Sequence, residues 1–148
     1  AAQALDRATQ LMPEFAYAFY NAGVAHQRAR RFPEMADRFR RDVNAMFSRL
    51  ALPARCYGRS IVHLYIGPVE RPAADDGQAP ASLERLMDPS SAGLHQRLDL
   101  QLLIRGVASM RGEAFCFSAA HRAADVDQTV AAVEGAFLAL RDEGRLPA

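Results

Sequence analysis

All 18 basic residues of this 148-residue chain are arginines, and there is no lysine. The chain therefore has no side-chain amine to form a Schiff base or to serve a phosphate-binding loop. Two cysteines, Cys56 and Cys116, and four histidines, His26, His63, His95 and His121, remain as candidates for other chemistry. No two histidines stand at i, i+3 or i+4, so their spacing provides no zinc motif. Two cysteines cannot staple a disulfide scaffold. Both are flanked by apolar or strand-like residues and read as buried free thiols in a reducing cytoplasm. The sharper alternative is a Cys56–His–carboxylate nucleophile assembled in space, for which no local motif stands.

The background is that of an ordinary globular domain. Half of the residues are hydrophobic, 24% are charged and the net charge is +1. This composition excludes a disordered tail and lacks the basic excess that nucleic-acid binding demands. The arginine runs Arg28–Arg31 and Arg38–Arg41 are interrupted by acids and small residues, so they read as a solvated helix face. No stretch approaches the roughly 18 to 20 apolar residues of a membrane span, and no signal peptide opens the chain. The first residue is Ala1, and Ala1–Arg7 already reads as helix. The expectation is a C-terminal fragment of something longer.

Hydrophobic period divides the chain into a helical segment, 1–50, and a small α/β domain, 51–148. Leu5, Ala8, Leu11, Phe15, Phe19 and Ala22 follow the helical period. Pro13 separates two helices and Pro33 opens a third. The third carries Met35, Phe39, Val43, Met46 and Phe47 on one stripe, with Arg38, Arg40, Arg41 and Asp42 expected on the wet face. Ile61–Ile66 is β-branched and aromatic, ends at Gly67-Pro68, and reads as a strand covered on both faces. Residues 67–93 carry four prolines and read as a long flexible loop with one helical turn at Ser82–Met87. Leu94–Arg105 returns to helix, closed by Gly106 as a left-handed cap. Val107–Ser109 and Ala114–Ser118 read as short strands around a turn at Arg111-Gly112. Ala123–Glu143 is the longest helix, with Val126, Val130, Val133, Phe137 and Leu140 on its apolar stripe. The fold class is α+β: N-terminal helices, then a small sheet with helices packed on it.

Three segments carry a family resemblance: Leu102-Leu103-Ile104-Arg105-Gly106-Val107, Phe117-Ser118-Ala119-Ala120-His121, and Ala124-Asp125-Val126-Asp127-Gln128-Thr129-Val130. In order and spacing they are similar to the C-terminal part of class III pyridoxal-phosphate aminotransferases, nearest the glutamate-1-semialdehyde aminomutase branch. Phe39–Arg49 and Leu52–Pro68 fit the same frame, so the resemblance covers about residues 36–143. It implies the C-terminal small domain of a fold-type I enzyme. It also implies pyridoxal 5'-phosphate in the intact enzyme, a small amino-acid or amino-ketone substrate, a missing N-terminal large domain that holds the catalytic lysine, and a homodimer. No catalytic, cofactor-binding or metal-binding residue maps onto this chain. Two departures stand out. Arg122 replaces a threonine able to cap the last helix, which weakens that helix start by about 1 kcal/mol. The stretch Val107–Glu113 is short where the family's chain passes near the substrate.

Arg111, inside that stretch, is the one substrate-binding candidate. A guanidinium there suits a two-pronged ion pair with a substrate carboxylate. The plainer alternative is a surface arginine paired with Glu113 or free in water. A second resemblance competes for the N-terminus. Ala8, Leu11, Pro13, Ala18, Phe19, Tyr20, Asn21, Gly23, Ala25, Phe32, Glu34 and Phe39 fit a single tetratricopeptide repeat, implying a helical-repeat interaction module. One such repeat cannot bury its face alone.

Overall fold

Ala36, Phe39, Val43, Met46 and Phe47 recur at helical spacing, and all five are buried. They form the inner stripe of α1 (Arg31–Arg49) in a computed structural model that describes residues 31–59, 61–70, 77–117 and 121–146. The two helices expected before residue 31, and most of the repeat resemblance, lie outside the described residues. Glu34 in the first turn of α1 and Arg49 in its last complement the helix dipole. The helix stops in a Schellman motif. The Leu52 N–H donates to the Phe47 carbonyl and the Ala51 N–H to the Ser48 carbonyl, with Ala51 at φ 52°. An alanine in that left-handed position is strained. Ala51→Gly is therefore expected to raise the unfolding free energy by about 0.5–1 kcal/mol, read as a higher urea midpoint at unchanged slope.

Three strands follow: β1 (Ala54–Tyr57), β2 (Ile61–Ile66) and, much later, β3 (Ala114–Cys116). They form one antiparallel sheet with β2 in the middle. The register sets Cys56 opposite Leu64 and Val62 opposite Phe115. Alternation then points Cys56, Val62, Leu64, Ile66, Phe115 and Phe117 at the helices. Phe39 of α1 meets both Phe115 and Phe117, with ring centroids 4.9 and 5.0 Å away.

Two further helices complete the core. In α3 (Ala92–Leu103) the buried face is His95, Leu98, Gln101 and Leu102. In α4 (Ala123–Asp142) it is Val126, Ala132, Val133, Ala136, Phe137 and Leu140. Arg38 pairs with Asp127 and Arg49 with Glu134, so α1 and α4 run in the same direction. Arg97 pairs with Glu143 while Arg105 lies against Gly135, so α3 runs the other way. Residues of α1 thus share one hydrophobic cluster with the sheet and the last two helices. The fold class is α+β, as expected, with α1, α3 and α4 sharing one core with the inner face of a three-stranded antiparallel sheet. Among the described residues no helix is long and apolar enough to cross a membrane.

Several local expectations need correction. Arg40 is not on a wet face: it is 7% exposed, and its Nη1 donates to the Gly58 carbonyl at 2.6 Å. The turn between β1 and β2 folds back onto α1 and buries it. Cys116 is exposed, because strand alternation turns it away from the helices; only Cys56 is buried. β2 is not covered on both faces: Ile61 is 43% exposed and His63 is also exposed, while Tyr65 is buried. An antiparallel sheet tolerates that openness on one side. Val107–Ser109 is not a strand. There the Ser109 hydroxyl bonds Asp99 instead, at 2.5 Å, and pairing resumes only at Met110, opposite Ala114.

The long stretch after β2 contains more order than expected. It holds the short helix α2 (Leu83–Leu86), where a helical turn was anticipated, a 3-10 turn (Pro89–Ser91), and the start of α3 at Ala92. Residues 71–76 lie outside the described part. Gly106 is at φ +79°, the left-handed cap anticipated for α3, with Val107 N–H on the Leu102 carbonyl. At the start of α4 the Arg122 side chain makes no cap hydrogen bond, as its chemistry requires. The Asp125 carboxylate supplies half of a capping box by accepting from the Arg122 N–H at 2.6 Å.

Candidate functional site

The turn Met110-Arg111-Gly112-Glu113 closes with the Glu113 N–H on the Met110 carbonyl at 2.9 Å. Both central residues are at positive φ, Arg111 at 57° and Gly112 at 72°, as in the hairpin turn that matches strand twist. Ser109 Oγ accepts the Gly112 N–H at 2.9 Å while bonding Asp99 on α3. The Gly112 carbonyl lies 2.8 Å from His95 Nδ1, also on α3. This helix therefore holds the turn at two points. Only glycine fits there, since a Cβ on Gly112 would sit 2.3 Å from the His95 carbonyl oxygen.

Beside the turn lies a cleft of about 330 Å³. Its walls are the outer side of β2, the segment from Arg85 to Ala92, His95, Tyr57 and Glu113. Tyr57 stacks on His63, ring centroids 5.2 Å apart. Burial pushes the Tyr57 phenol above its usual range, and the Glu113 charge adds to the shift, so the hydroxyl keeps its proton. Asp88 accepts the Ser90 N–H, which holds its carboxyl below the usual range. Arg85 is engaged by Glu70 at 2.5 Å. The groups left facing the cleft are mostly hydrogen-bond acceptors, complementary to an ammonium or hydroxyl group.

Arg111 is not part of the wall of this cleft, although Glu113 of the same turn is. It is exposed and makes no ion pair among the described residues, Glu113 included. The structure thus brings Glu113, Tyr57 and His95 to the turn that Arg111 occupies. The sequence offered His95 as one histidine of four and Glu113 only as a partner for Arg111, and it assigned none of the three a place in a site. His95 alone left a signal, as a polar residue inside the apolar stripe of α3.

A second cleft, of about 420 Å³, lies between Gly106–Ala108, β3 and the first turns of α4. Cys116, His121 and Asp125 border it, far in sequence from the Cys56 grouping considered above. Cys56 itself is enclosed, its backbone N–H and carbonyl both held by Asn44. Among the described residues no three of His, Cys, Asp and Glu gather as a metal site.

The three-stranded antiparallel sheet with α1, α3 and α4 sharing one core is a fold found in a solved structure. The crystal structure of an omega-transaminase from Sphaerobacter thermophilus matches with a TM-score of 0.57 at 20% identity, over 75% of this chain and 24% of that one. The chain thus spans about a quarter of the length of that transaminase, and the likeness is one of fold. No protein-family model and no curated protein matches the sequence.

Proposed function

We propose that this chain is the C-terminal portion of a class III pyridoxal-phosphate-dependent aminotransferase or aminomutase acting on an amino acid or amino ketone. The observation that carries the reading is the fold shared with the omega-transaminase over three quarters of the chain. The Arg105-Gly106-Val107, Ser118–His121 and Asp125–Thr129 segments, in that order, favour the glutamate-1-semialdehyde aminomutase branch. The chain's own residues do not fit the cofactor as an imine partner, because none is lysine. That lysine and the cofactor site belong to a large N-terminal domain in this reading, and the intact enzyme is a cytoplasmic homodimer.

The small domain then has a binding task. Arg111 grips a substrate carboxylate with its planar fork, while Glu113 and the acceptors of the neighbouring cleft face the substrate's amine. In the intact enzyme, Arg111→Ala is expected to raise KM for a carboxylate substrate strongly. The loss corresponds to roughly 2 to 5 kcal/mol once the pair is enclosed by the closed domain. Arg111→Lys recovers part of it, because an ammonium lacks the two-pronged geometry. Steady-state kinetics that are unchanged in Arg111→Ala would remove Arg111 from the site.

The 148-residue chain alone tests the cofactor assignment. Incubation with pyridoxal phosphate and borohydride is expected to leave every internal residue unlabelled, as mass spectrometry of tryptic peptides would show. A stoichiometric internal adduct would contradict the placement of the lysine outside this chain.

A further inference from the structure

His95 is 8% exposed and lies on the buried face of α3, where Leu98 and Leu102 pack. Its Nδ1 is 2.8 Å from the Gly112 carbonyl oxygen. A carbonyl can only accept, so Nδ1 carries the hydrogen. In the neutral ring Nε2 is then a bare lone pair. Nε2 has no partner among the described residues, yet it is not among the polar atoms sealed from solvent without one. The ring borders the cleft that Tyr57, Tyr65 and Glu113 also line.

We infer that His95 contacts the ligand: Nδ1 holds the turn that carries Arg111 and Glu113, and Nε2 accepts a hydrogen bond from a hydroxyl or ammonium group of the small molecule in the cleft. The inference rests on the reading of this cleft as the substrate cleft. The chemistry of its walls selects the ligand group. Glu113 and Asp88 are carboxylates, the Tyr57 hydroxyl can accept as well as donate, and the Arg85 charge is engaged by Glu70. A phosphate or carboxylate entering here would face acceptors. A donor entering here completes them, and His95, like Tyr65, is a buried member of the wall.

The test uses the full 148-residue chain labelled with 15N, with ethanolamine as the probe because it carries both donor types. At mildly alkaline pH the His95 ring is expected to show a protonated Nδ1 and a bare Nε2, and ethanolamine is expected to move the Nε2 signal. His95→Asn keeps a donor where Nδ1 stood and removes Nε2. In that variant the Arg111 and Gly112 amide signals stay in place while ethanolamine affinity falls roughly tenfold or more. His95→Phe displaces the turn signals and also loses the probe. An Nε2–H tautomer would overturn the inference, as would a wild-type chain blind to ethanolamine or undiminished binding by His95→Asn. An intact protein without amine transfer whose ethanolamine response persists would overturn the functional reading and leave this site standing.

Discussion

Replacing Asn44 by alanine is expected to lower the unfolding free energy by about 2–5 kcal/mol. Asn44 is 9% exposed, and its side-chain amide closes two hydrogen bonds on one residue of an edge strand. Oδ1 accepts the Cys56 N–H at 2.8 Å, and Nδ2 donates to the Cys56 carbonyl at 2.9 Å. The amide does for β1 what another strand would do, and it denies that edge to a second chain. Truncation removes both side-chain bonds to these buried backbone groups, which outweighs the lost packing. Asn44→Leu separates the two effects. It fills the volume but restores neither hydrogen bond, so its loss should approach that of alanine. Urea unfolding with both variants within 1 kcal/mol of wild type would refute the account of this edge.

Gly112→Ala is expected to cost about 2–4 kcal/mol and to shift the amide signals of 109–113. Two terms add. The residue sits at φ +72°, where a side chain is strained, and its new Cβ would stand 2.3 Å from the His95 carbonyl oxygen and 3.2 Å from the Asp99 nitrogen. Those atoms are helix backbone and cannot yield as a side chain would. The turn must lift from α3 and abandon the His95 contact. Gly106→Ala isolates the first term: it has a similar φ of +79°, but the nearest atom to its Cβ is Gln128 Nε2 at 3.7 Å. Its loss should be near 1 kcal/mol. Equal losses at the two positions, measured by thermal unfolding, would show that the turn does not press on α3.

The stripes of α1 and α4 were legible because their partners are their own neighbours: Val126, Val133, Phe137 and Leu140 recur with the period that buries them. The cap at Gly106 and the turn at Arg111-Gly112 were legible for the same reason, since backbone geometry there is local. β1 was not. Ala-Arg-Cys-Tyr has no strong strand signature, and its outer edge is completed by Asn44 from twelve residues away. Arg40 sits off the apolar stripe of α1, and it is held where it is buried by the Gly58 carbonyl, brought back by the β1–β2 turn, and by the Asp37 carboxylate at 2.8 Å. The cleft follows the same rule. Tyr57, His95 and Glu113 meet through sheet register and a helix-docked turn, and neither is written in any one segment.

Amine transfer by the complete product of the gene that encodes this chain tests the central claim most directly. The account predicts a purified protein that carries pyridoxal phosphate and passes the amino group of a donor to an acceptor. A complete protein that purifies without the cofactor, does not bind it when supplied, and leaves the donor unchanged would contradict the account.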